Sequence, residues 1–267
     1  MPSSPPDRPL HGAPAPRNRL HPGLYLAEAA GTALLVLSGL SVVIAFFGSG
    51  TPLAAWWPDA ALRRAMAGAC FGTCGALITI SPLGKISGAH LNPTMSFAFW
   101  LEGRLAWRDA LGYVIAQCLG AIAGAVPLLL WGSFGASVNY GATLPGAGVA
   151  PSLAFAGEVF AGFALALTVL MMVAHRRTRR FTPWTMPLLF AWLVWWEAPL
   201  SGASANPARS LGPALISAHW SGFWIYALGP PLGAVLAIAL LRLEVIGRHH
   251  VPVARLFHFG PDTVPFA

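Results

Sequence analysis

Ser87-Gly88-Ala89-His90-Leu91-Asn92-Pro93 and Ser201-Gly202-Ala203-Ser204-Ala205-Asn206-Pro207 are the two stretches whose reading decides the fold. They agree at five of seven positions and begin 114 residues apart, at 87 and 201. A short apolar run follows each one, Thr94 to Leu101 and Ala208 to Ser217. About ten residues is half of what a helix needs to cross a bilayer, so each run predicts a re-entrant half-helix. Pro93 and Pro207 suit the first helical turn, where a missing N–H costs nothing. Asn92 and Asn206 suit the capping position, each with an amide also able to face a lumen.

The rest of the chain supplies the setting. Of 267 residues 56% are apolar and only 9% charged, against about 25% charged in soluble domains. So little charge cannot cover a soluble surface, and the composition reads as an integral membrane protein. The net charge of +7 comes in short clusters between apolar runs, which excludes the contiguous basic face of a nucleic-acid binder. Eleven Trp and the high hydrophobicity exclude a disordered chain. Cys70, Cys74 and Cys118 all lie in apolar stretches and read as packing residues, with no second ligand pair for a metal. No cofactor is expected.

Runs of about 20 apolar residues predict six spans, near 24–47, 62–81, 105–131, 152–174, 183–200 and 220–242. Residues 1–22, rich in Pro and Arg and without a signal-peptide core, read as a disordered cytoplasmic arm. Residues 23–245 form the membrane domain, and 246–267 a cytoplasmic C-terminal tail with no evident pattern. With both termini inside, the cytoplasmic segments collect thirteen of the sixteen Lys and Arg, leaving Arg63, Arg64 and Arg209 outside. The cluster Arg176-Arg177-Thr178-Arg179-Arg180 is explained as a topology determinant and can also meet anionic lipid.

Three spans separate the two loops, and an odd number inverts the second half relative to the first. The halves, about 24–131 and 152–242, also echo each other in Glu28 and Glu158, each near the start of an apolar helix. The expected fold is thus all-α: six transmembrane helices plus two re-entrant half-helices in an inverted repeat. Half-helices entering from opposite faces would bring two positive dipole ends together near the midplane. Such a point repels cations, and two amide donors there can hold a passing oxygen.

These motifs resemble the aquaporin and aquaglyceroporin channels, the major intrinsic proteins. The resemblance covers about residues 24–242. It is carried by the two loops, by Asn206-Pro207-Ala208-Arg209-Ser210, by Tyr113 to Ile122 in the third span, and by Gly229-Pro230 in the sixth. It implies one pore per subunit, a homotetramer, and a passive channel in the cell (inner) membrane rather than an enzyme. Pore-signature residues would be Asn92, Pro93, Thr94, Asn206, Pro207 and Ala208. Glu28 and Glu158 would hydrogen-bond the loops, with His90 supporting the loop or lining the pore. Thr94 departs from the family's usual Ala; its hydroxyl would bond within its own helix or alter the central constriction.

Arg209, one turn after Asn206, matches the family's filter Arg. Family spacing then places Gly72, Val194 and Ala203 around it. With these residues the filter is wide and apolar on three sides, and Gly72→Phe would narrow it. A slip of one residue would bring in Phe71 or Trp195 and make the filter narrow instead. The expected cargo is small uncharged solutes (glycerol-like polyols, urea, neutral metalloid acids) together with water. Strict water selectivity is the alternative. An ion-coupled transporter is the other, but only Glu28, Glu158 and His90 are read at membrane depth, with no paired acids. No Ser–His or paired-carboxylate set at catalytic spacing suggests an enzyme.

Overall fold

A computed structural model describes residues 20–244 and 251–257. Most of the expected N-terminal arm, and of the expected tail all but 251–257, lie outside the described residues.

Among the described residues, three long helices and one half-helix recur in the same order in each half, joined by connections that carry shorter helical turns. The first half comprises α1 (Pro22–Phe47), α2 (Ala60–Ile80), the half-helix α3 (Pro93–Leu101) and α4 (Trp107–Ala125). The second comprises α5 (Pro151–Ala174), α6 (Thr182–Trp196), the half-helix α7 (Pro207–Ser217) and α8 (Phe223–Arg242). Local chemistry sets the ends. Proline opens α1, α5 and both half-helices, and Asp59 caps α2 by accepting from the Leu62 N–H at 2.8 Å.

Two expected spans are modified where the backbone cannot continue as an α-helix. After Ala125 the third span tightens into a 3-10 turn, Val126–Trp131, because Pro127 has no N–H to donate. The fifth span is interrupted at Glu197, with Ala198–Ser201 as a separate turn beyond it. Among the described residues, four helical segments are long and apolar enough to cross a membrane on their own, those beginning at Pro22, Trp107, Pro151 and Phe223. The other two spans, α2 with its Arg63 and Arg64 and the 15-residue α6, pack chiefly on each other.

Packing interlocks the halves. Within them α1 lies on α4 and α5 on α8, while half-helix α7 packs on α4 and α3 on α8, across the repeat. Without water to drive helices together, close backbone approach is the available attraction. Gly120 and Gly124 of α4 sit directly on the backbone of Ala29 and Ala33, and Gly162 and Gly233 serve the α5–α8 crossing in the same way. Leu40, Ile44 and Leu128 centre one core cluster; Met95, Phe99 and Leu165 centre the other. Outward-facing apolar side chains such as Leu26, Leu130 and Leu188 stay exposed, as a lipid-contacting surface requires. Cys74 and Cys118 pack at the edge of the first cluster, but Cys70, expected to be a packing residue, is exposed.

Candidate channel and selectivity site

Both loops turn the chain through the same unusual backbone. Gly88 and Gly202 are left-handed (φ 87° and 93°), and Ala89, Leu91, Ala203 and Ala205 follow with φ between 51° and 55°. Left-handed geometry costs a residue with a Cβ roughly 1–2 kcal/mol, so outside groups must hold the loops. A buried carboxylate does so in each half. Glu28 accepts from the N–H groups of His90 (2.9 Å) and Leu91 (2.7 Å), and from Gln117 Nε2 (2.7 Å). Glu158 accepts from the N–H groups of Ser204 (2.7 Å) and Ala205 (2.9 Å), and from the Ser201 hydroxyl (2.7 Å). Tyrosines complete the pattern: Tyr113 donates to the Ser87 carbonyl and Tyr226 to the Ser201 carbonyl.

The held loops present the two asparagines to each other. Asn92 Oδ1 caps α3 through the Thr94 N–H, and Asn206 Oδ1 caps α7 through those of Ala208 and Arg209. Each amide then reaches across, Asn92 Nδ2 to the Ala205 carbonyl and Asn206 Nδ2 to the Leu91 carbonyl, both at 2.9 Å. One N–H of each amide is thereby used, and the side chain is locked. The second N–H remains for whatever occupies the cavity that both asparagines line. The half-helices therefore meet asparagine-first, with their positive ends converging on that point.

His90 is 2% exposed and stacks on Phe99 with ring centroids 4.7 Å apart. Its Nδ1 pairs with Ser96 Oγ and its Nε2 with the Ala254 carbonyl, and the residue also lines the asparagine cavity. One side chain thus contacts Ser96 and Ala254 and also borders the cavity. Its counterpart Ser204 makes the matching contact to Ser210. Thr94 is fully buried, lines neither cavity, and its hydroxyl has no hydrogen-bond partner among the described residues. The expected bond within its own helix is not made.

Among the described residues, two cavities bear on the asparagines and Arg209. The wide one, about 280 Å³, is lined by Arg209, Val194, Ala203, Gly68, Phe71 and Phe190 among others. The narrow one, about 50 Å³, holds Asn92, Asn206, His90, Gly72 and Met186. By this measure about 10–15 Å³ admits one water, so the narrow cavity takes a short file. Phe71 and Phe190 line both cavities with ring centroids 5.5 Å apart, so the two rings stand where the cavities meet.

Val194, Ala203 and Arg209 are thus together, and Gly72 is not with them. That placement is a correction. Gly72 faces α6, where a Cβ would lie 2.5 Å from the Met186 carbonyl oxygen; the α2 residues at the wide cavity are Arg64, Ala67, Gly68 and Phe71. A helix advances 100° per residue, so the ungapped count that reaches Gly72 rotates past the wall that Phe71 occupies. Arg209 is 6% exposed and donates from Nη1 to the Gly141 carbonyl at 3.0 Å. That carbonyl comes from the long 132–151 connection, in which no motif marks it.

Glu197 is a further residue that the motifs do not point to. It is fully buried, and its Oε1 lies 2.5 Å from the Ser201 hydroxyl that also bonds Glu158. The expectation that no paired acids occur at membrane depth is therefore corrected: Glu158 and Glu197 are bridged by Ser201. One hydroxyl hydrogen cannot serve both carboxyl groups, so one of the acids must supply a proton to the chain of bonds. The legible signal was an isolated acid inside an apolar run. Glu197 lines neither cavity.

Converging half-helices, locked asparagine amides and a lumen-facing arginine define a membrane channel of the inverted-repeat type. The sequence matches the family model described as Major intrinsic protein over residues 21–241. It is 32% identical over 239 residues to the lens fiber major intrinsic protein of Gallus gallus, covering 86% of this chain and 84% of that one. It is 33% identical over 228 residues to the glycerol uptake facilitator protein-like 6 of Lactiplantibacillus plantarum, covering 82% and 96%. The X-ray structure of the aquaglyceroporin from Plasmodium falciparum has the same fold, with a TM-score of 0.68, 20% identity and coverage of 84% and 96%. The chain belongs to the major intrinsic protein family, and is a passive channel of the aquaporin and glycerol-facilitator kind, not an enzyme.

Proposed function

We propose that this channel passes small uncharged solutes with a carbon skeleton, such as glycerol-like polyols, urea and neutral metalloid acids, together with water. The observation that carries this reading is the wall around Arg209. Phe71, Phe190, Val194 and Ala203 offer carbon surface on the other sides, and among the described residues the only other charged lining residue is Arg64. A solute with both carbon and hydroxyl groups can lay its skeleton on the aromatic rings while its oxygens take the guanidinium N–H groups. Water alone gains nothing from the apolar walls. Two arginines and two half-helix N-termini oppose cations along the same path.

Phe71 supports the second reading, strict water selectivity, because an aromatic ring in the filter narrows it. Stopped-flow light scattering on vesicles containing the protein separates the two. Water flow accompanied by glycerol or urea flow is the expected result. Water flow with neither solute entering overturns the polyol reading in favour of the water-selective one.

The distribution of Lys and Arg favours both termini in the cytoplasm of a cell membrane, with the narrow cavity toward that side. A homotetramer with one pore per subunit rests on family membership. Asn92, Asn206 and Arg209 are the residues assigned to the solute path, with Pro93, Pro207, Thr94 and Ala208 building the half-helix ends and Glu28, Glu158 and His90 holding the loops.

A further inference from the structure

Beyond α8 the chain comes back. Residues 251–257 lie against the first loop, with Val251, Ala254 and Leu256 buried to 2%, 1% and 6% exposure. The Leu256 N–H donates to the Gly88 carbonyl at 3.0 Å, Arg255 Nη1 donates to the Lys85 carbonyl at 2.7 Å, and the Ala254 carbonyl lies 3.0 Å from His90 Nε2. Gly88 is shaped to the segment as well: a Cβ there would lie 2.6 Å from the Ala254 oxygen. Leu256 reaches furthest, lining the narrow cavity with His90, Asn92 and Asn206.

We propose that residues 251–257 are a stopper built into this chain, which closes the narrow end of the lumen with the Leu256 side chain and opens it when the segment leaves. Three features carry this. An apolar side chain lining a cavity that holds only a few waters denies them a hydrogen-bond partner there. The narrow cavity holds about 50 Å³ against about 280 Å³ beyond the aromatic pair. The segment contributes no helix of its own: Val251, Ala254 and Leu256 pack into the core cluster around Met95, Phe99 and Leu165, so it can leave without dismantling a helix. His90 then has two tasks, since the ring that braces α3 through Ser96 is also the anchor for the Ala254 carbonyl.

The inference rests on the chain being a passive pore, and the test keeps that premise separate. Vesicles are prepared with the parent chain, with a chain ending at His250, and with full-length Leu256→Gly. Water and glycerol flux are measured per channel, with channel number fixed by quantitative staining. Both variants are expected to conduct several-fold faster than the parent, and a synthetic peptide of residues 251–257 should slow the shortened chain. Permeability of folded Leu256→Gly equal to or below the parent's overturns the stopper, whatever the shortened chain does. Should the shortened chain fail to fold, Leu256→Gly decides alone. If removing the stopper raises water flux while glycerol stays excluded, the stopper stands and the polyol reading fails.

Discussion

Replacing Glu28 by Gln tests the claim that one buried carboxylate holds the strained first loop. In the parent the two carboxylate oxygens accept three N–H donors, from His90, Leu91 and Gln117. A glutamine side chain has one oxygen and one NH₂ group in their place. With the NH₂ toward His90, the His90 N–H faces a donor; with the NH₂ turned the other way, the Leu91 N–H does. Either orientation strands one buried backbone N–H, which costs about 1–3 kcal/mol. The surviving bonds change from charge-assisted to neutral, a loss of about 1 kcal/mol each. The sum is about 3–5 kcal/mol. For 150–250 residues each kcal/mol shifts Tm by about 2–4 °C, so a drop of at least ~6 °C is expected. Tryptophan-fluorescence unfolding in detergent, run alongside vesicle water flux, reads both stability and pore geometry. Glu158→Gln should behave alike, because Glu158 also accepts two loop N–H groups and one side-chain donor. A Glu28→Gln protein with Tm within about 2 °C of the parent and normal flux would refute the reasoning.

Three further outcomes follow from the cavities. Phe71→Ala should raise the permeability of larger polyols relative to water, measured by vesicle swelling, because it removes one of the two rings between the cavities; an unchanged ratio would remove Phe71 from the filter. Gly72→Ala should lower folded yield and thermal stability instead of altering selectivity, since the added methyl meets the Met186 carbonyl; a stable, size-selective Gly72→Ala channel would restore Gly72 to the filter. Thr94→Ala should leave stability within about 1 kcal/mol of the parent, because the lost methyl is offset by removing a buried unpaired hydroxyl. Unfolding curves check it, and a large loss would mean that the hydroxyl has a partner.

Much of the fold could be read from spacing alone because it rests on local rules. A Pro after an Asn starts a helix, ten apolar residues cannot cross a bilayer, and three intervening spans invert a repeat. The observed half-helices, Pro93–Leu101 and Pro207–Ser217, begin one residue before the apolar runs that announced them. Glu28 and Glu158 were legible because an acid in an apolar helix needs partners. Glu197 carried the same signal but stood near the expected end of its span, where an acid can reach water. Phe71 and Gly72 were harder. Both belong to one apolar run, and which of them reaches the Arg209 cavity depends on how α2 is rotated against α6, which the packing of Gly68 and Gly72 on the α6 backbone determines.

What the sequence by itself determined is the inverted repeat, the two asparagine-capped half-helices and the arginine one turn beyond the second. Each is a short-range consequence of residue identity and chain length. Only the tertiary structure decided which side chains line the two cavities, that the Gly141 carbonyl receives Arg209, and that Leu256 returns to line the narrow cavity. Those facts depend on helix rotation and on contacts between residues as much as 170 positions apart, such as Arg255 and Lys85. No local rule specifies them, because the free energy that selects them is that of packing, summed over the whole bundle.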